Sequence, residues 1–600
     1  MSQLTDYIPY QNLSSLHQLF LTRVERSPDS IAYQQYNNEL SRWENTTWHE
    51  MSLLVAQWSN MMKQEGLSKG DRIAIMLPNC KEWVVCDQAA FNLGLIVVPL
   101  YINDRAENTG YIIKSTEVKL IVFKSEEQWL ILNEAMMHLS SIKKFISIDA
   151  VTDTENDRYS RLDKWVSNAS EVLPEPVDMD QNSLATIVFT SGTTGRPKGV
   201  MLSHKNILWN TYACSATEDF IPEDIFLSFL PLSHMFERTV GYYLPVMSGA
   251  KVAYARSIEL LGEDLQTIKP TILVTVPRIF ERVYNKIQLG LSQKPKVASF
   301  LFNQSVIVGW QRFLYSQNRV SWSIKQLFWP ILNLLVAGKI MSKLGGRMRL
   351  AVSGGAPLSL DIAKTFIGLG LQISQGYGMT ETSPVICTNE LDDNEPGSVG
   401  QPLIDVEVKL GENDELLVNS PGMMMGYWNN DEATHQIIDE DNWLHTGDKA
   451  KIINRHIYIT GRLKEILVLS NGEKVPPSDI ELAISTDSVV DQVMLVGEGK
   501  AFLSAIIVLN SEIWKTLLIK HGIDQTQTSG LKNPEMIKIA LGLIQNKLKN
   551  FPGYTDIYSI ILSLEPWTVE AGLITPTLKL KRSSIINLFK DEIDELYKGH

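Results

Sequence analysis

Short apolar, β-branched runs recur along the first two thirds of the chain, at 72–76, 118–123, 185–190, 225–229, 271–276, 348–353 and 371–374, and predict strands. Between many of them lie stretches with apolar positions at helical spacing, as at 48–64 and 358–369. Alternation of this kind predicts an α/β architecture with largely parallel sheet. After about residue 405 the texture changes. Short runs at 406–410, 415–419, 449–453 and 456–460 predict a small antiparallel or barrel-like unit. From residue 465 a second unit of mixed strand and helix begins, ending in a helical tail. Turn chemistry at Gly461-Arg462, Asn471-Gly472 and Pro476-Pro477 punctuates this change.

A chain of 600 residues exceeds one ordinary core, so several lobes or domains are expected. The net charge of −13 argues against a general nucleic-acid partner. Cys80, Cys86, Cys214 and Cys387 are scattered, with no CxxC pair, which points away from a disulfide framework and toward a reducing cytosol. The first residues show no basic segment followed by an apolar one, and the most apolar run, 327–338, reads as too short to span a bilayer. A cytoplasmic protein without a transmembrane anchor is therefore expected. One block departs from the acidic background: from Arg282 to Arg349 there are many Lys and Arg and no Asp or Glu. It reads either as a solvated helical face or as a surface meeting anionic lipid, on the inner face of a membrane, or coenzyme A phosphates.

The strongest local signal is the segment 190–199, Thr-Ser-Gly-Thr-Thr-Gly-Arg-Pro-Lys-Gly, directly after a buried-looking strand. Small residues let backbone amides approach phosphate oxygens, hydroxyls add donors, and Lys198 brings positive charge. The spacing is not that of a Walker A loop. Thr190, Ser191, Gly192, Thr193, Thr194, Gly195 and Lys198 are thus candidate phosphate-binding residues, although a turn of this composition can also be only a turn. Glu381 is a hard oxygen ligand suited to Mg2+, yet Thr-Glu-Thr-Ser at 380–383 also reads as a helix cap. Tyr377 offers a flat face, and Asp448 can accept two hydroxyl hydrogen bonds.

Taken together the chain resembles the adenylate-forming superfamily of acyl-CoA synthetases, luciferases and peptide-synthetase adenylation domains. The resemblance rests on an ordered set: the loop at 190–199, Pro-Leu-Ser-His-Met-Phe-Glu-Arg at 231–238, Ser-Gly-Gly-Ala-Pro-Leu at 353–358, Gln-Gly-Tyr-Gly-Met-Thr-Glu at 375–381, Trp-Leu-His-Thr-Gly-Asp at 443–448, Gly-Arg-Leu-Lys-Glu-Ile-Leu-Val at 461–468 and Pro-Thr-Leu-Lys-Leu-Lys-Arg at 576–582. It covers nearly the whole chain. It implies a large N-terminal domain, 1–463, of two α/β sheet lobes plus a β-barrel-like subdomain over about 400–463, followed by a smaller mobile α+β domain, 464–600. It implies ATP and coenzyme A as co-substrates, with Mg2+. It places adenine between Tyr377 and the wall of Gly355, Ala356 and Pro357, with Gln375, Gly376, Gly378 and Met379 nearby. Thr380 lies by the α-phosphate, Glu381 holds the metal, and Asp448 and Arg462 serve the ribose and phosphate. Lys579 becomes the residue that orients the carboxylate and stabilises the pentavalent phosphate, with Lys581 as an alternative. Lys464 takes the hinge position, Gly472 gives pantetheine close backbone approach, and His234 sits near the acyl pocket; Glu237 and Arg238 read as an ion pair.

Within the superfamily, the segments 229–238, 276–282 and 575–582 are most similar to long-chain fatty acyl-CoA synthetases. The reaction this implies is conversion of a fatty acid to acyl-AMP and then to acyl-CoA. Rival readings are an aryl or medium-chain acid, transfer to a carrier protein, and a non-catalytic lipid-binding protein. Intact Lys198, Glu381, Asp448, Arg462 and Lys579 speak against the last.

Overall fold

The computed structural model describes residues 6–152, 156–190, 196–523, 530–549, 551–575 and 579–598. Two large sheets dominate the first 400 residues. In one, eight strands run in the order Gly426–Tyr427, Lys198–Ser203, Leu184–Thr190, Ile96–Pro99, Arg72–Met76, Leu120–Phe123, Lys144–Ser147 and Tyr159–Arg161. All pairings from Leu184–Thr190 to Tyr159–Arg161 are parallel, and the two strands at the other edge are antiparallel. The second sheet has nine strands. Its parallel centre runs from Ile373–Gly378 through Leu350–Ser353, Ile272–Thr275, Ile225–Ser228 and Lys251–Tyr254 to Ile31–Asn37. Central strands such as Ile96–Pro99 and Ile272–Thr275 are buried at every position, the mark of strands covered by helices on both faces. One apolar core joins the sheets: Phe20, Trp48, Trp83, Phe91 and Trp209 from the helices meet Val97 and Val188 of one sheet and Phe226 and Val252 of the other.

The third unit is a four-stranded antiparallel sheet, Glu407–Leu410, Glu415–Asn419, Leu444–Ile453 and His456–Arg462. The C-terminal part centres on three strands, Val490–Val496, Leu503–Leu509 and Ile557–Ser563. Their period of two separates the layers. Val493, Leu495, Ala505 and Ile507 face the helices Pro477–Ser485, Ser511–Lys520 and Pro534–Lys547, whereas Met494, Val496, Ile506 and Val508 face Ile585 and Ile593 of the last two helices. The expected class, α/β with a β-rich unit and a smaller mixed C-terminal part, is the observed one.

Two expectations change. Glu237 and Arg238 do not pair. Arg238 turns to Asp87, at 2.5 Å with both side chains fully buried, and also donates to Thr186 and Tyr243. Adjacent helical residues point about 100° apart, so neighbours in sequence do not face each other. The reading of 327–338 as a short apolar run also changes. It belongs to a continuous helical run of 20 residues, Ile324–Lys343, which by length and composition alone is long enough to cross a membrane. Charged Lys325 and Lys339 hid its extent. Nor is the basic block uniformly a free surface: Arg349 pairs with Asp224 at 2.5 Å, Arg319 with Glu395 at 2.8 Å, and Arg312 lies over Trp329. The helix Lys296–Ser316 fastens this region to the body at Gly309, where any Cβ would overlap the carbonyl of Gly368.

Candidate active site

A cleft of about 2520 Å³ opens where the parallel strands of both sheets end. Residues just beyond the carboxyl ends of Arg72–Met76, Ile225–Ser228, Ile272–Thr275 and Leu350–Ser353 line it: Leu77 and Asn79, Pro231 and His234, Val276, and Gly354 to Pro357. Open α/β sheets bind ligands at this edge because loops there are free to vary while strands fix their bases. The four-stranded sheet and the C-terminal part close the far side with Asp448, Arg462, Lys464 and Lys579.

At one end of the cleft, Gln375 to Glu381 line one wall. Gly378 is required because its chain crosses Pro384 so closely that a Cβ would overlap that carbonyl. The hydroxyl of half-buried Tyr377 donates to Asp448 Oδ2. Asp448 and Arg462 are cross-strand partners, and Arg462 Nε reaches Asp448 Oδ1 at 3.2 Å. Burial raises the Asp448 carboxyl, opposed mainly by Arg462. Gln375 is buried in this wall with its Oε1 unpartnered, an acceptor suited to the exocyclic amine of a purine.

Thr380 and Glu381 form one turn of 3-10 helix, and the Tyr427 hydroxyl donates to Glu381 Oε1 at 2.8 Å. Lys198 Nζ stands 4.9 Å from the centre of the same Tyr427 ring. Thr190 ends its strand and lines the cleft; Ser191 to Gly195 lie outside the described residues. Lys579 is held by a hydrogen bond from its backbone amide to Thr575 Oγ1, 3.0 Å. Burial lowers its ammonium pKa, as does neighbouring Arg462, while Asp448, Glu381 and Glu465 act the other way. Lys198, Arg462 and Lys579 thus bring three cations to one cleft beside Glu381 and Asp448. Among the described residues no group of three or more His, Cys, Asp or Glu could hold a metal. Glu381 alone fits Mg2+, which commonly takes one or two carboxylates and completes its shell with phosphate and water.

Toward the interior the lining turns apolar: Phe236, Val240, Leu244, Phe220, Leu350 and Val352. His234 lies at this change. Its Nδ1 accepts from the Phe236 amide at 3.2 Å, and burial, with Lys579 nearby, pushes its pKa down to about 4, so the ring is neutral. The Phe236 ring lies over Gly354, where an added Cβ would come within 3.0 Å of it. Burial pushes the Glu237 carboxyl up to about 8, so Glu237 is protonated at neutral pH.

Lys464 lines the cleft from a 3-10 turn, whereas Gly472 sits in an exposed turn outside the lining with φ of +86°. Lys579 lines the cleft and Lys581 does not. Tyr427 and Glu465 were not foreseen. Tyr427 joins Glu381 from 46 residues away, and no local spacing signals that contact.

Relatives of known description match nearly the whole chain. Residues 20–428 match the model of the AMP-binding enzymes and 464–600 that of the AMP-binding enzyme C-terminal domain. Human long-chain-fatty-acid–CoA ligase 1 is 32% identical over 90% of this chain and 81% of its own length. The Arabidopsis thaliana protein described as a probable chloroplastic acyl-activating enzyme is 28% identical over 97% of this chain and 89% of its own. Among solved structures, an anthranilate CoA ligase in complex with anthranoyl-AMP has a TM-score of 0.75 at 18% identity, covering 98% of this chain and 100% of that one. The adenylation domain of a carboxylate reductase from Mycobacterium chelonae has a TM-score of 0.78 at 21% identity, covering 98% of this chain and 91% of that one.

Proposed function

The chain belongs to the AMP-binding enzyme family, adenylate-forming ligases that activate carboxylic acids with ATP, and from that premise we propose that its acid is a long-chain fatty acid and its acceptor coenzyme A. The observation that carries this reading is the continuity of the cleft. A polar end that holds Lys198, Arg462 and Lys579 passes, at neutral His234, into an apolar recess lined by Phe236, Val240 and Leu244. An anion with a long apolar tail matches both ends. The similarity to long-chain ligases at 32% identity supports it; the anthranilate ligase keeps an aryl acid as the alternative.

In this proposal Tyr377 and Gln375 receive adenine, and Asp448 accepts from the ribose hydroxyls. Glu381 would hold Mg2+, which would offset phosphate charge when bound. Lys579 draws the carboxylate oxygen and the α-phosphate together. The carboxylate oxygen bonds to the α-phosphorus and the bond to pyrophosphate breaks. The electrophile is then the acyl carbon of the mixed anhydride, which a coenzyme A thiol attacks with loss of AMP. Lys579 occupies the cleft during the first step, so the second requires the C-terminal part to turn about Lys464, bringing Gly472 inward. A reducing cytosol, compatible with four free buried cysteines, is part of the proposal.

The direct test follows AMP release with ATP, coenzyme A and acids from acetate to oleate, with benzoate and anthranilate beside them. The proposal expects kcat/KM to rise with chain length; a maximum on an aryl acid refutes it. Asp448→Ala is expected to raise the KM for ATP about tenfold, the order of a lost charge-assisted hydrogen bond, with a smaller change in the KM for the acid. Gly472→Leu is expected to leave acyl-AMP formation within a few-fold and to slow thiolysis at least tenfold. With Lys579 in the cleft an added Cβ at Gly472 meets nothing within 4 Å, although its positive φ strains the turn. Normal thiolysis in that variant removes the pantetheine role.

A further inference from the structure

About half of the exposed large apolar side chains among the described residues fall between Leu289 and Leu335. They are not scattered. On the helical run Ile324–Lys343, Ile324, Leu327, Phe328, Ile331, Leu334 and Leu335 are all exposed, and their spacing puts them on one face. The opposite face is already occupied: Leu332 and Ala337 are buried, and Trp329, Val336 and Ile340 pack with Phe302 and Leu369. The run is therefore apolar on two sides with only one partnered. On the adjoining helix Val297 and Phe300 are exposed at 66% and 60%, and Trp322 lies exposed in the connection.

We propose that this exposed face is a bilayer-docking surface, entering the headgroup and upper acyl region of an anionic membrane with the helix axis in the membrane plane. The run is long enough to span, but spanning would strip Trp329, Leu332 and Ile340 from the protein body. In-plane docking keeps those contacts and covers the free face. Charge selects the occupant. Lys294, Lys296, Lys325, Lys339 and Lys343 flank the apolar face and are exposed, with no acidic residue between Arg282 and Leu360. A second copy of the chain would set these lysines against one another. An anionic bilayer supplies the missing counter-charge, and Trp322 suits the interface. The surface does not depend on which acid the cleft accepts.

The test is flotation of the full chain with phosphatidylcholine vesicles, with and without phosphatidylglycerol. The wild type is expected to float with the mixed vesicles, and more weakly with neutral ones. The variant Leu327→Ser, Phe328→Ser, Ile331→Ser, Leu334→Ser is expected to bind at least about tenfold more weakly to both. Lys325→Glu, Lys339→Glu, Lys343→Glu is expected to lose the preference for anionic vesicles. Unchanged melting temperature and vesicle-free adenylation would show that both variants are folded. A wild type that floats with neither vesicle overturns the proposal. So does a serine variant that binds like the wild type, or sedimentation showing that the serine changes abolish a dimer in a protein that ignores vesicles.

Discussion

Lys579→Ala is expected to lower acyl-adenylate formation by about 10²–10³-fold, while thiolysis of supplied acyl-AMP stays within a few-fold. The first step brings a carboxylate against a phosphate chain, and negative charge accumulates on the α-phosphate oxygens. Lys198, Arg462 and Lys579 all line the cleft, but they differ in freedom. Arg462 is tied to Asp448 at 3.2 Å, and Lys198 stands beside Tyr427. Lys579, fixed through its backbone to Thr575, is the cation contributed by the segment that must later withdraw. The pH dependence follows from its shift. Burial lowers the Lys579 pKa, so its charged form is complete well below the ordinary lysine value and is lost as pH rises through the lowered one. Adenylation should carry an alkaline limb that Lys579→Ala removes; bound ATP, by adding negative charge, should move that limb upward. His234, neutral above about 4, adds no limb in the neutral range. Hydroxamate trapping of acyl-AMP across pH measures this. Equal loss of both steps would contradict the two-state use of the cleft, and Lys581→Ala, outside the lining, should stay near wild type.

What could be read from the sequence is what short-range physics determines. The strands Arg72–Met76 and Glu415–Asn419 and the helix Trp48–Gln64 stand at the positions expected, because period and capping are local; Thr47 and Glu50 close a capping box at that helix. The motifs at 190–199, 231–238, 353–358 and 375–381 converge for a topological reason: each overlaps or follows the carboxyl end of a strand with a parallel neighbour, and parallel strands deliver their ends to one edge, whereas 443–448 and 461–468 lie on antiparallel strands. Tertiary pairing was not legible. Arg319 and Arg349, read as part of a basic surface, find their acids at Glu395 and Asp224 far along the chain. The exposed helix face was missed because apolar content alone does not reveal which side of a helix the body covers. The same long separation in sequence hides the Asp87–Arg238 pair, whose side chains are both fully buried.

Arg238→Met is expected to destabilise the N-terminal part by about 3–5 kcal/mol, the range for removing one partner of a buried ion pair. Asp87 would keep the Tyr242 and Tyr243 hydroxyls, at 3.1 Å and 2.8 Å, but lose its counter-charge. Thr186 would lose a 2.8 Å donor in the middle of a parallel strand, and Trp83, whose ring centre lies 5.0 Å from the guanidinium carbon, would lose its cation. The measure is the first calorimetric transition, since a chain of this size does not unfold in two states. Asp87→Asn with Arg238→Met should cost less than the sum of the two single changes, because most of the penalty is a stranded charge rather than lost packing. The functional consequence should be confined. Arg238 donates its amide to the His234 carbonyl, so loosening it disturbs the polar-to-apolar change in the cleft, whereas Tyr377 and Asp448 stand on other elements. The KM for the acid should rise while that for ATP holds. If both rise together, Arg238 supports the sheet and not the acyl end of the site.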